Sequence, residues 1–355
     1  MLLAPNENDT RCSLADWLEL QTILSARRVG SKGDLLSALD IASDDRTQRY
    51  SEDTESGITL DQSILEEPRN ELLLSVFDEL EFRAKCLGES YPFEVDSKRM
   101  LLRAAFKDKP WHYGQVTYTF CLLTSAMRLN VFADVKALKS EEKEIALHFQ
   151  VCACLAAGGY FGGPVCSFGF PRGNASAFLP ALKSAYGRFG HGDVKEVIEA
   201  GHPQKVKDSG IDVIAWRDHP DGLPGKLYSL GQCASGKDWI DKPVSPKVGL
   251  FHGTWFSTAP ALHCLPALFI PFLVHADVAE PLNDSYDTAR RRHLAYRERE
   301  FGILFDRLRI AFHAATCMAG DQQRRDTVDG AALAENVADW VNRTVSKVVG
   351  QAHMQ

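Results

Sequence analysis

The chain has 355 residues, 45% hydrophobic and 25% charged, which is ordinary for a globular protein and long enough to bury a sizeable core. Its net charge of -7 argues against a wholly basic nucleic-acid coat, but the balance is uneven: the first hundred residues carry 11 Lys+Arg against 21 Asp+Glu, so the remainder sums to +3. Nine cysteines without a CxxC pair read as free thiols rather than a disulfide framework, and neither the N-terminus nor the proline-broken run 259–274 reads as a signal peptide or a membrane span.

In chain order, Leu14–Leu24 is expected to form an amphipathic helix behind Ser13, and Asp34–Ile41 another. Residues 43–57 are polar, acidic and aperiodic, and read as a loop. Helices are expected over 62–90, 96–106, 115–129 and 140–157, giving an acidic helical region over 1–157. Cys152 and Cys154 would point about 200° apart on a helix, so with His148 they read as buried groups rather than one metal site. Gly158-Gly159-Tyr160-Phe161-Gly162-Gly163-Pro164 reads as a boundary. After a helix at 174–189, the β-branched stretch 211–216 reads as a strand, Asp218–Gly225 as a turn, and 226–233 as a second strand, together a hairpin. Residues 247–256 and 268–274 are further strand candidates, and 287–319 and 330–349 are helical. The expected class is α+β: a small mixed sheet over 158–285 embedded between helical regions at 1–157 and 286–355.

Metal-assisted hydrolysis of a phosphodiester needs carboxylates to hold a divalent ion and a cation to stabilise charge, all on rigid elements. The hairpin offers this. Asp212 opens its first strand, and 19 residues separate it from Gln232 near the end of the second. The segment Asp208-Ser209-Gly210-Ile211-Asp212-Val213-Ile214-Ala215, followed by Gly231-Gln232-Cys233, resembles the paired signatures of Mrr-like restriction endonucleases of the PD-(D/E)xK superfamily. The resemblance covers roughly residues 190–245. It implies a restriction endonuclease-like core, with Asp212 and Gln232 at a magnesium or manganese site and a lysine supporting catalysis. The family places that lysine two positions after the glutamine, where this chain has Ala234. Lysines migrate in this superfamily, and Lys237 is the nearest candidate, with Lys242 second. A further acid usually comes from a helix before the first strand, and Glu196 or Glu199 could supply it. Asp208 could instead order the turn through its own side chain.

Further on, Arg290, Arg291 and Arg292 begin a run with seven arginines against three acids over 290–309, either a phosphate contact or a solvated helix face. Asp306 and Arg309, three apart, read as a side-chain pair on a helix. Trp239 reads as a packing anchor or a base-stacking platform. Cys233 reads as a small core residue rather than a nucleophile. These readings converge on a cytoplasmic, magnesium-dependent DNA endonuclease, the effector of a bacterial restriction or anti-phage system. No Walker motif is present, so a sensing or motor subunit of the ATPase or helicase type would choose the target. The alternative is an inactive nuclease-like module that binds DNA or a partner protein.

Overall fold

In a computed structural model, the described residues are 2–6, 9–40, 62–105, 111–133, 139–170, 172, 177–202, 206–278 and 284–352. The expected loop at 43–57 lies outside them. The protein is α+β, and its main sheet is covered by helices on both faces.

The N-terminal part begins with helix α1 (Arg11–Leu24), capped by Thr10 rather than Ser13: the Thr10 hydroxyl accepts from the Ser13 backbone N–H. A short strand β1 (Val29–Ser31) leads into helix α2 (32–40), and α3 spans Gln62–Leu87. The helix expected over 96–106 is absent. Strands β2 (Phe93–Asp96) and β3 (Leu101–Ala104) form a hairpin there, extended by β1 in the order β1-β3-β2. The turn explains the difference. Asp96 accepts from the Arg99 backbone N–H at 3.1 Å, and Met100 adopts a left-handed conformation (φ 50°), so the chain reverses before a helix can propagate.

Helices α4 (Tyr113–Arg128) and α5 (Lys139–Phe161) follow. α5 has the length and apolar content of a membrane span, but 67% of its most apolar window is buried inside the protein, as expected of a core helix. The glycines read as a boundary after residue 157 partly belong to it. A side chain on Gly159 would come within 1.9 Å of the His313 carbonyl oxygen, so the bare backbone is what lets helix α9 (Arg307–Met318) pack directly on α5.

The central sheet runs β10-β9-β7-β6-β4, from strands β4 (Val165–Ser167), β6 (Val213–Arg217), β7 (Leu227–Cys233), β9 (Leu265–Phe269) and β10 (Ile303–Phe305). The expected hairpin is present: β6 and β7 are antiparallel, with Val213 opposite Gly231. β4 pairs antiparallel with β6, whereas β9 joins β7 in parallel and β10 joins β9 in parallel. Alternation along the strands feeds two cores. Val213, Ala215, Ala267 and Phe269 face α5 and α9, in a core continuous with α1, α3, α4 and helix α11 (Ala334–Ala352). Ile214, Trp216, Tyr228 and Leu230 face helices α6 (Phe178–Phe189) and α7 (Ser245–Trp255). Leu268 and Leu304 pack with Phe301 of helix α8 (Tyr286–Phe301). A two-stranded ribbon of β5 (Asp193–Val194) and β8 (Phe256–Thr258) flanks α7, and a single turn, α10 (Gln322–Arg325), precedes α11.

Two further expectations change. Residues 247–256, read as a strand, are mostly α7. Pro246 sits in its first turn, where the missing N–H costs nothing, and Phe251 and Trp255 are buried at helical spacing. The helix expected over 287–319 is interrupted. Gly302 (φ 78°) ends α8, β10 joins the sheet, and Asp306 restarts the helix as the N-cap of α9 by accepting from the Arg309 backbone N–H. Asp306 and Arg309 are therefore joined through a cap. The Arg309 guanidinium reaches Glu298 at 3.1 Å instead.

A buried charge network joins the helical layer. Arg83 of α3 contacts Asp16 at 2.7 Å, Glu19 at 3.0 Å and Glu79 at 2.9 Å, and Arg307 of α9 contacts Asp16 at 2.7 Å. Tyr91 and Tyr118 both donate to Glu19. Burial alone would raise the Asp16 carboxyl, but the two guanidinium groups outweigh it and hold it low.

Candidate active site

β6 and β7 carry Asp212 and Gln232 to the same end of the hairpin. Asp212 sits one residue before β6 and already pairs with β7: its N–H donates to the Gly231 carbonyl at 2.8 Å, and its Oδ2 accepts from the Cys233 N–H at 2.8 Å. The approach to β6 is bent by consecutive left-handed residues, Ser209 (φ 57°) and Gly210 (φ 77°). Asp208 accepts from the Gly210 N–H at 2.8 Å, the local turn role expected for it. These contacts hold Asp212 Oδ2 on the hairpin's own backbone and place Oδ1 against Gly169, just after β4.

A helix before the hairpin does contribute to this site, but it is α5. Gln150 donates to the Ser167 hydroxyl at 2.7 Å, and its amide nitrogen lies 3.4 Å from the Asp212 carbonyl oxygen. A methyl group added to Gly169 would lie 2.4 Å from Asp212 Oδ1 and 2.7 Å from Gln150 Oε1. The Gln150 amide nitrogen would lie 2.9 Å from the same methyl, so the Asp212 carboxylate and the whole Gln150 carboxamide pack closely over the bare Gly169 backbone. A cradle of carboxylate and amide oxygens suits a hard cation, and magnesium commonly takes one or two carboxylates and fills its remaining positions with water and phosphate. Asp212 Oδ1 and Gln150 Oε1 are oxygens of the type that magnesium or manganese takes. Gly169→Ala is expected to fill the cradle and weaken Mn2+ binding at least tenfold while circular dichroism stays native. Unchanged affinity in a titration calorimeter would remove Gly169 and Gln150 from the site.

Helix α7 brings a lysine to the same end of the hairpin. Lys247 Nζ donates to Gln232 Oε1 at 2.7 Å. Burial pushes its ammonium downward, against the opposing pull of Asp212. Burial likewise raises the Asp212 carboxyl to about 7; Asp208 adds to the rise, while the Cys233 N–H, Lys247 and Lys242 oppose it. Cys233 is driven well above the ordinary thiol range by burial and the Asp212 charge, as a protonated packing group.

The other expected residues stand elsewhere or in other roles. Lys237 is exposed on the turn after β7. Lys242 pairs with Asp238 at 3.2 Å. Glu196 and Glu199 pair with Lys183 and Lys195 and line a separate cavity of about 870 Å³ beside α6. Trp239 is buried, its ring centroid 5.5 Å from that of Phe301, which makes it a packing anchor. Arg290 lies 3.4 Å above the Phe82 ring and pairs with Asp287, Arg292 pairs with Asp284, and Arg291 is exposed. Most of the basic run is thus neutralised within the protein.

Gln150 and Lys247 were hidden in the sequence for different reasons. Gln150 lies 62 residues before Asp212, on an apolar helix with no local motif. Lys247 lay within a stretch read as a strand, although Pro246 marks the first turn of a helix. Compared with protein-family models, with curated proteins and with solved structures, the chain matches none.

Proposed function

We propose that the protein is a magnesium- or manganese-dependent nuclease acting on DNA, with Asp212, Gln232, Gln150 and Lys247 as its working residues. The observation that carries this reading is the convergence of Asp212 Oδ1 and Gln150 Oε1 over Gly169, with Lys247 beside Gln232 on the adjacent strand. The sheet supports it too: with α6, β5 and β8 as insertions, helix α5, the antiparallel strands β4, β6 and β7, helix α7 and the parallel strand β9 follow a plan compatible with a restriction endonuclease-like core. The resemblance around Asp212 and Gln232 points the same way, and Lys247 takes the place of the lysine missing at Ala234.

In this reading Asp212 and Gln150 would hold the ion, which would supply Lewis acidity toward the scissile phosphate and a more acidic water. Gln232 fixes the Lys247 ammonium by accepting its hydrogen bond, so that the charge is in place as negative charge develops on the phosphate. Lys242 and Arg172 add positive charge around Asp212 and Asp208. Arg291 remains on the exposed face of α8 for backbone contact, and Arg292 beside it would have to release Asp284 to join it. We assign the protein to the cytoplasm as the effector of a restriction or anti-phage system whose sensing or motor subunit chooses the target.

Lys247→Met is expected to lower cleavage of plasmid DNA about 100-fold, the scale of removing one preorganised charge-stabilising group, whereas Lys237→Met changes it less than twofold. Equal losses for the two variants would reject the assignment of Lys247. One feature favours an inactive binding module instead: the donors around Asp212 are amides, with one carboxylate among them. DNA binding without any metal-dependent cutting would select that reading.

A further inference from the structure

A second group of potential ligands meets at the junction of α1, α3 and the loop after β9. Cys12, Glu79 and His275 are all buried, and a sulfur, a carboxylate oxygen and an imidazole nitrogen from them lie within 4.8 Å of one another. We propose that these three side chains bind one zinc-class divalent transition ion, which pins the two N-terminal helices to the sheet.

The donor chemistry separates this site from the cradle at Asp212. A thiolate and an imidazole prefer zinc to magnesium, and three protein ligands leave a fourth position for water. Ligands held at 2.0–2.3 Å in a tetrahedron sit roughly 3.5 Å apart, so closing the triad needs about 1 Å of side-chain movement. Little opposes that movement. Among the described residues, the Cys12 sulfur has one ordinary hydrogen bond, 3.4 Å to the Tyr286 hydroxyl, and one long contact, 4.0 Å to the His275 carbonyl oxygen. His275 Nε2 lies 3.1 Å from Glu79 Oε1, and ligation exchanges that contact for two bonds to the ion.

The neighbouring cations can yield Glu79 without being stranded. Arg83 keeps Asp16 and Glu19, and Arg290, 3.6 Å from Glu79 Oε2, keeps Asp287 and its stack on Phe82. An outer shell is already present: the Tyr286 hydroxyl contacts both the Cys12 sulfur and the His275 carbonyl oxygen. Access is provided as well. A cavity of about 710 Å³ is lined by Glu79, Tyr286 and Arg290, and another of about 390 Å³ by His275 and Arg290. The charges balance, since Cys12 thiolate and Glu79 carboxylate meet the two positive charges of the ion. One proton, that of the Cys12 thiol, is released, and His275 ligates through Nε2 with its ring proton on Nδ1.

The test uses the full chain stripped with chelator and titrated with Zn2+ and Co2+. One equivalent of Co2+ is expected to give a thiolate-to-cobalt charge-transfer band and a tetrahedral visible spectrum, and Zn2+ to displace it and raise Tm. In Cys12→Ser the band disappears and Zn2+ binding weakens by more than the roughly 10–100-fold cost of losing an outer-shell partner. His275→Gln, checked for fold by circular dichroism, weakens binding likewise. Asp212→Asn retains the band, which separates this site from the nuclease reading. A wild-type protein that gives no thiolate band at millimolar Co2+ would overturn the proposal without reference to any variant, as would a folded Cys12→Ser that keeps the band.

Discussion

Asp212→Asn is expected to abolish metal-dependent cleavage, lowering the rate about 10³-fold, because a bound metal contributes several kcal/mol and each ~1.4 kcal/mol is a factor of ten. The wild-type rate should also carry a signature of this residue. Only the ionised carboxyl holds a cation, and burial has raised it to about 7. At metal concentrations well below saturation, cleavage by wild type should therefore climb as pH rises toward 7 and level off above it, and saturating metal should shift the rise to lower pH. A flat profile between pH 5.5 and 7 would disconnect Asp212 from the chemistry.

The same carboxyl affects stability with a defined sign. Below its ordinary value of 3.8, both folded and unfolded chains hold the proton. Between 3.8 and about 7 the folded chain keeps a proton that the unfolded chain releases, so stability falls as pH rises. Above 7 the penalty is fully present. A fully buried carboxylate displaced this far would cost about 4 kcal/mol, and the partial exposure of Asp212 reduces this to roughly 2 kcal/mol. In chelator at pH 8, Asp212→Asn should thus be more stable than wild type by roughly 2 kcal/mol, with the difference vanishing near pH 4. Urea unfolding at the two pH values measures it, and a variant less stable at pH 8 would contradict the proposed desolvation of the site.

Arg307→Met is expected to lower unfolding stability by about 3–5 kcal/mol, the cost of removing one partner from a buried ion pair and leaving the other charge uncompensated. Arg307 is buried, bidentate to Asp16 at 2.8 and 2.7 Å, and donates to the Ser125 hydroxyl at 2.9 Å. Arg83 would then be left as the one guanidinium among the described residues in contact with Asp16 and Glu19. Arg292→Met, on the exposed face of α8, is the control and should change stability by less than about 0.5 kcal/mol. If the two variants unfold at the same denaturant concentration, the buried network is not what ties α1 to α9.

This contrast also shows why the arginine run was ambiguous. Arg290, Arg292, Arg307 and Arg309 are alike in sequence, and their spacing suits a solvated or phosphate-binding helix. Arg290 has one local partner in Asp287, but the other acids they meet, Glu79, Asp284, Asp16 and Glu298, lie between 8 and 291 residues away. Charge pairing over such distances leaves no local periodic trace, so the run could be counted but not placed.

What the sequence determined by itself was local. The continuous apolar, β-branched stretch through Ile211–Trp216 and the turn at 218–225 specified a hairpin, because such a run suits a strand buried on both faces and Asp, Pro and Gly favour reversal. That hairpin put Asp212 and Gln232 at one end of adjacent strands. The tertiary structure decided the remainder. It brought Gln150 from a core helix and Lys247 from a proline-started helix to the same end, buried Asp212 enough to raise its carboxyl, and assembled Cys12, Glu79 and His275 from three separate elements. The physical reason is common to all of these: desolvation and convergence depend on which surfaces the packed helices cover, and that is settled by the whole core rather than by any window of the chain.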